Sequence, residues 1–341
     1  MFVNTAYGPI YGDATQMVTD GWHRPPGAPL VALWRHHPRR DTDAAGLASA
    51  SLDFARRSAG DLIKLPASST WQATAFGLRD IWRPDPLGRR HICHHPVAMP
   101  GDWDRLALCA AQFDRREVVT LDALARVAAG RDRPVPVLAT VFAPATVAAQ
   151  LVPAMALGPH LAAAPLAVAG ALRVIADRTC RLIAACAEAG ADGIYLAVKH
   201  RGAGAWPLPD GQAGEMLRSA VDAADAQVMA AASALPHPML HLHASGLSGP
   251  IPAAGRRWMV HMEQDVAAEL DAGDLCGHLP AIGLDLDLVQ AGGAPLHVMV
   301  DQLKTRIGGD GLLLSAACVL PLSVGGRDAA RLVARLRRVA A

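Results

Sequence analysis

A charge excess of either sign is missing from this chain: 32 Lys and Arg stand against 31 Asp and Glu in 341 residues, a formal net charge of +1. Without a basic face, neither nucleic acid nor an anionic membrane surface is an expected partner, and small-molecule chemistry is the better expectation. Long apolar runs are missing too. The apolar stretch 147–171 is broken by Pro153, Pro159 and Pro165, which suits buried helices and turns, and no charge-free run reaches the roughly 18 residues of a membrane span. The opening residues, MFVNTAYGPIYGD, carry neither a basic n-region nor an apolar h-region, so no secretory signal is expected there. Cysteine is sparse: Cys93, Cys109, Cys180, Cys186, Cys276 and Cys318 lie far apart. A disulfide framework is therefore not expected, and a reducing cytoplasm is. No internal repeat is visible.

What is present is core material. Apolar residues make up 52% of the chain, enough for a sizeable core and too much for a disordered polymer. Short aliphatic runs alternate with segments of helical period, the pattern of βα units around a parallel sheet. Strands are predicted near 31–35, 62–66, 135–142, 193–199, 239–245, 258–262, 281–287 and 311–320. In the best-marked unit a long helix stops at Gly190, a good residue to end on, and Asp192-Gly193 leads into the strand IYLAV. At the other end, GGRDAARLVARLRRVAA reads as an amphipathic helix after the last strand. Residues 1–28 read as an N-terminal extension. Residues 69–116, with Trp71, Pro84, Pro86, Pro96 and Pro100, fit no βα unit and read as a lid-like excursion over the barrel's mouth.

Three segments carry a family resemblance: VALWRHHPRRD with LASASLDFARRSAGDLIKLP, AGADGIYLAVKH with PMLHLHASG, and GGDGLLLSAACVLPLSVGGRDAARLVARLRR. They resemble the uroporphyrinogen decarboxylase superfamily, which includes porphyrinogen decarboxylases and zinc-dependent corrinoid methyltransferases. The resemblance implies a single α/β domain over 1–341, a (β/α)8 TIM barrel. In the decarboxylases, two arginines four apart in the first loop bind substrate carboxylates, and Arg35 and Arg39 match that spacing. The aspartate they place after the second strand has no counterpart in Lys64-Leu65-Pro66-Ala67-Ser68, and their Gly-His-Gly at the last strand is replaced by Ala316-Ala317-Cys318. Decarboxylation of uroporphyrinogen is accordingly not expected.

In the methyltransferase branch, a His-x-Cys at the fifth strand and a Cys at the eighth bind zinc. This chain offers His241-Leu242-His243 and Cys318 there. Residues i and i+2 of a strand share a face, and strand ends converge at a barrel's mouth, so His241, His243 and Cys318 are the implied zinc ligands. A fourth position would stay open for a substrate thiol. The leading expectation is a zinc-assisted methyl or alkyl transferase acting on a small acidic or thiol substrate, with a corrinoid, carried by a partner protein, as methyl donor. Two other readings stay open: a metal-free decarboxylase-like lyase in which the arginines hold an acid and a histidine moves the proton, and a non-catalytic binder of a tetrapyrrole or corrinoid.

Other ionisable residues at strand ends complete the candidate set. His36, His37 and His261 are candidate acid–base groups, and Lys199 and Asp285 are candidate substrate contacts; Asp287 and His200 sit nearby in sequence. The cluster His91, Cys93, His94, His95 matches no recurring zinc spacing, and reads as a solvated or lid segment.

Overall fold

The computed structural model describes residues 29–340 except 109–111, 203, 244–256, 272, 308–311 and 317. The expected extension 1–28 falls outside that set. Ten strands follow the order β1 (Leu30–Val31), β2 (Ile63–Leu65), β3 (Arg79–Trp82), β4 (Arg90–His94), β5 (Val137–Phe142), β6 (Gly193–Val198), β7 (Met239–Leu242), β8 (Met259–Glu263), β9 (Leu279–Leu284) and β10 (Leu313–Ala316). Eight of them form one parallel sheet ordered β1-β10-β9-β8-β7-β6-β5-β2. Strands covered on both faces read as unbroken apolar runs, and VLATVF in β5 and LPAIGL in β9 are buried at every position.

The sheet is curled, and its end strand β1 bonds to Asp61, two residues ahead of the other end strand β2. No ladder joins β1 to β2 among the described residues, but Val31 donates its N–H to the Asp61 carboxylate and accepts from the Asp61 N–H, both at 2.8 Å. Asp61 also accepts from Arg337 at 2.6 Å. The expected barrel is thus met as an eight-stranded, parallel, curled sheet. β1 and β10 are shorter than the sequence suggests because the chain beyond them is tied differently. Trp34 donates Nε1–H to the Cys318 carbonyl at 2.7 Å, and the Leu320 N–H donates to the Trp34 carbonyl at 2.9 Å.

Helices cover the outer face. Helix α1 (Ala44–Ser58) is capped by Asp43, which accepts from the Gly46 N–H; α2 (Arg115–Gly130) opens with a reciprocal capping box between Asp114 and Glu117. Helix α3 (Pro165–Glu188) turns Arg178 onto buried Glu117, and α4 (Gly326–Ala340) closes the chain. Among the described residues no single helix is long and apolar enough to cross a membrane.

Residues 69–116 form an antiparallel β3–β4 hairpin outside the main sheet, flanked by two 3-10 turns. The carboxylate of Asp80 anchors it, accepting from Thr70 at 2.5 Å and facing Arg90 at 3.4 Å and Arg116 at 3.6 Å. The hairpin's connecting loop meets the chain leaving β10, where the Leu322 N–H donates to the Pro86 carbonyl at 2.7 Å. Arg90 reaches the chain leaving β1, pairing with Asp41 and donating to the Pro38 carbonyl.

Gly193 opens β6 where no side chain fits: a Cβ there would sit 1.9 Å from the His237 carbonyl oxygen. Gly193→Ala must displace backbone rather than a flexible side chain. Urea titration is expected to show a loss of about 1–3 kcal/mol, the usual range for overpacking.

Candidate functional site

β7 reads MLHL and β8 reads MVHME, apolar strands each interrupted by one fully enclosed imidazole. His241 and His261 are direct register partners across these strands, so their rings lie on the same face, with Nδ1 to Nδ1 at 2.7 Å. One of those two atoms must carry the proton and the other the lone pair. The neighbours select the arrangement: His261 Nε2 lies 2.9 Å from Ser315 Oγ, which is 3.4 Å from the Ile282 carbonyl. One direction satisfies all three of these contacts. His241 Nδ1–H donates to His261 Nδ1, His261 Nε2–H to Ser315, and Ser315 to Ile282. His241 Nε2 is then left with a lone pair, and it lies 3.2 Å from Cys318 Sγ.

His243 follows β7 directly and is partly exposed. Its Nδ1 is buried without a hydrogen-bond partner, and Glu263 Oε1 lies 3.9 Å from it. One ligand atom each from His241, His243 and Cys318 falls within 4.8 Å of the others, the one His/Cys/Asp/Glu group of this kind among the described residues. All three imidazoles are held neutral. Burial, with nearby positive charge, pushes His261 down to about 3, His243 down to about 4 and His241 well below its ordinary value. Neutral imidazole is the ligating form. Burial raises the Cys318 thiol, and Lys64 and Lys199 pull it partly back.

This donor set fits zinc. Two imidazoles and one sulfur are zinc-type ligands in the number, three, that catalytic zinc sites use, and the buried, unpartnered Nδ1 of His243 is an atom that an ion would satisfy. Tetrahedral ligation needs these atoms roughly 3–4 Å apart, within reach of small rotamer changes.

Aromatic rings wall the cluster. Tyr195 of β6 stacks on His241, centroids 5.2 Å apart and planes at 29°, with its hydroxyl 3.3 Å from His261 Nδ1. Trp34 meets His261 and Tyr195 edge-on at 5.2 and 5.5 Å. Lys64 of β2 points its Nζ over Tyr195 at 4.3 Å and over Trp34 at 5.3 Å. Burial pushes Lys64 down to about 8 and lowers Lys199 as well.

The remaining candidates divide. Burial, with the charges of Lys64 and Lys199, pushes His36 down to about 3, and its buried Nδ1 has no hydrogen-bond partner among the described residues. His37 lines, with Arg35, a recess behind β1 and β2 against α1, its ring 6.3 Å from Phe54. The two guanidinium groups expected to converge on one anion are engaged apart. Arg35 Nη1 donates to the carbonyls of Leu322 and Val324 at 2.9 and 2.8 Å, while Arg39 is exposed and lies over Trp82 at 5.0 Å. Asp285 caps a short helix, accepting from the Leu288 N–H at 2.9 Å. His200 is buried between Thr146 at 3.2 Å and Asp225 at 2.9 Å. On β4, Cys93 is exposed, and beyond it His95 Nδ1 lies 2.9 Å from the Gln150 carbonyl. Sequence reading passed over Trp34, Tyr195, Ser315 and Lys64; of these, Lys64 carried a usable signal, a lone charge inside the apolar strand LIKLP.

None of the curated proteins searched matches this chain. Among solved structures, a methyltransferase from Methanosarcina mazei superposes with a TM-score of 0.69 at 16% identity, covering 93% of this chain and 95% of its own. A B12-independent methionine synthase from Shewanella sp. W3-18-1, in complex with selenomethionine, gives a TM-score of 0.46 at 11% identity, covering 91% and 93%. A family model described as uroporphyrinogen decarboxylase matches residues 35–207. That match spans just over half of the sequence and includes β2, β5 and β6 of the main sheet, so the chain belongs to the uroporphyrinogen decarboxylase family.

Proposed function

We propose that this protein is a zinc-assisted methyl or alkyl transferase that acts on a small thiol, with a corrinoid on a partner protein as the methyl donor. The observation that carries the reading is the convergence of His241, His243 and Cys318. Zinc held by these three would keep a substrate thiol as the nucleophilic thiolate at neutral pH. The protein's own groups prepare that place. His261 takes the proton side of His241 Nδ1 and so keeps the lone pair of Nε2 on the ligand side. Trp34 holds the Cys318 loop through its carbonyl, and Tyr195 fixes the plane of His241. In this reading the sheet is a barrel closed along the β1–β2 seam, and residues 69–116 lie over its mouth and exclude water. The metal-free lyase draws less support, because its acid-holding arginines are engaged apart.

The test is demethylation of methylcobalamin by a thiol, followed by its visible spectrum, in zinc-loaded and zinc-stripped protein. Turnover is expected in the loaded protein alone, and equal turnover in the stripped protein would end the reading. A companion prediction concerns His261. His261→Phe keeps a ring but removes the acceptor, so zinc affinity in a chelator competition is expected to fall roughly 10–100-fold, with His261→Gln, whose amide can accept, falling less.

A further inference from the structure

His241 lies within β7 and His243 directly after it, but Cys318 lies two residues past β10, and from Cys318 to Val324 the chain forms neither helix nor strand. No ladder fixes the thiol, so its place depends on what packs against that segment. One side is tied to the chain leaving β1. Trp34 bonds the Cys318 carbonyl and the Leu320 N–H, and Arg35 bonds the carbonyls of Leu322 and Val324. The other side meets the tip of the β3–β4 hairpin, residues 83–89, through the Leu322 N–H and the Pro86 carbonyl at 2.7 Å.

Gly88 is buried in that tip, although Pro86 and Arg89 on either side of it are exposed. Its φ of +77° favours glycine, and so does the space around it. A Cβ there would stand 2.8 Å from the Cβ of His36 and 3.2 Å from side-chain atoms of Pro38 and Leu322. The tip is thus wedged between the chain that leaves β1 and the chain that leaves β10. Asp85 shapes it: its carboxylate accepts from the N–H groups of Leu87 and Arg89 at 2.9 and 3.1 Å, and its carbonyl accepts from the Gly88 N–H at 3.0 Å, the bonding by which an aspartate stabilises a turn. The base of the hairpin is anchored separately, by Asp80 against Arg90 and Arg116 and by Arg90 against Asp41. The tip can therefore unseat while the hairpin stays in place. Among the described residues no hydrogen bond joins the tip to His241, His243 or the Cys318 side chain, so its effect on the site passes through residues 318–324.

We propose that the hairpin tip is a latch, with Gly88 and Asp85 as positioning residues, and that its seating between the two exits presents Cys318 Sγ to His241 Nε2, 3.2 Å away. This rests on the reading of His241, His243 and Cys318 as a metal site and extends it: the segment read as covering the mouth also sets the reach of the thiol. By linkage, seating of the tip and occupation of the site favour each other to the same degree.

The experiment uses the full chain and two variants. Gly88→Ala unseats the tip by crowding and strain; Asp85→Ala loosens the turn without adding an atom, and covers the case in which Gly88→Ala fails to fold. In metal-free protein, alkylation of Cys318 by iodoacetamide, followed by peptide mass, is expected to be about 10-fold faster in each variant, the shift that one strained or unbonded residue gives to a local opening. Cys276, exposed in any case, is expected to react at the wild-type rate, and the melting curve to stay close to wild type. Zinc affinity in a chelator competition is expected to fall by about the same factor. In the wild type, zinc is expected to slow hydrogen exchange over residues 85–89. The alkylation arm contains no metal, so protein that takes up no zinc removes the metal reading and leaves the latch to be decided by the thiol. Cys318 that reacts at the wild-type rate in both variants would overturn the latch. So would Cys318 and Cys276 accelerated alike, which is general loosening of the fold, or zinc bound with no change in exchange at the tip.

Discussion

Cys318→Ser is expected to lower the protein's affinity for zinc by at least about 100-fold, more than the roughly 10–100-fold that follows loss of an outer hydrogen-bond partner. Sulfur is the softest of the three donors and the one that would enter as an anion. The hydroxyl that replaces it stays protonated at neutral pH. Fold and loop position should survive, because the contact that holds this segment is made by the Cys318 backbone carbonyl with Trp34, not by its side chain. Competition with a zinc chelator measures the change, and a melting curve close to wild type shows that the fold is intact. A serine variant that retains zinc at wild-type affinity would remove Cys318 from the ligand set.

Glu117→Ala is expected to have the largest effect on stability, about 3–5 kcal/mol, because it leaves a buried guanidinium without its carboxylate. Glu117 is fully buried and Arg178 nearly so, with Nε to Oε1 at 2.9 Å and Nη2 to Oε2 at 2.5 Å. Burial pushes the Glu117 carboxyl up even beside that guanidinium, so the pair itself adds little net stability. Its loss still costs much. The same carboxylate accepts from the Asp114 N–H at 2.7 Å in the capping box that starts α2. Replacing both partners by apolar residues, as in Glu117→Leu with Arg178→Met, is expected to recover most of the loss. Urea titration of the single and double variants checks this, and a single variant within about 1 kcal/mol of wild type would contradict it.

The strands were legible because parallel strands covered on both sides are apolar throughout, and each of the eight predicted runs overlaps a strand of the sheet, that at 31–35 by Val31 alone. Their ends were less so. The runs placed at 31–35 and 311–320 stop early as strands because Trp34, Cys318 and Leu320 bond to one another across an irregular crossing. The His241, His243 and Cys318 convergence followed from strand alternation and the resemblance, although His243 lies just past β7 and Cys318 two residues past β10. What could not be read was lateral register. That His261 stands opposite His241, and Ser315 within reach of His261, depends on how β7, β8, β9 and β10 align, which no spacing within one strand reveals. Arg35 and Arg39 had the right spacing for an anion, but the Leu322 and Val324 carbonyls that engage Arg35 are nearly 290 residues away. Lys64 was weighed only as a missing aspartate, and its burial among Trp34 and Tyr195 is a property of the curled sheet.

The central claim is that His241, His243 and Cys318 bind one zinc ion, and X-ray absorption at the zinc edge on stoichiometrically loaded protein tests it most directly. One sulfur at about 2.3 Å and two imidazole nitrogens at about 2.0–2.1 Å are expected, with the sulfur signal absent from Cys318→Ser. Protein that takes up no zinc, or zinc bound with no sulfur neighbour, would contradict the claim.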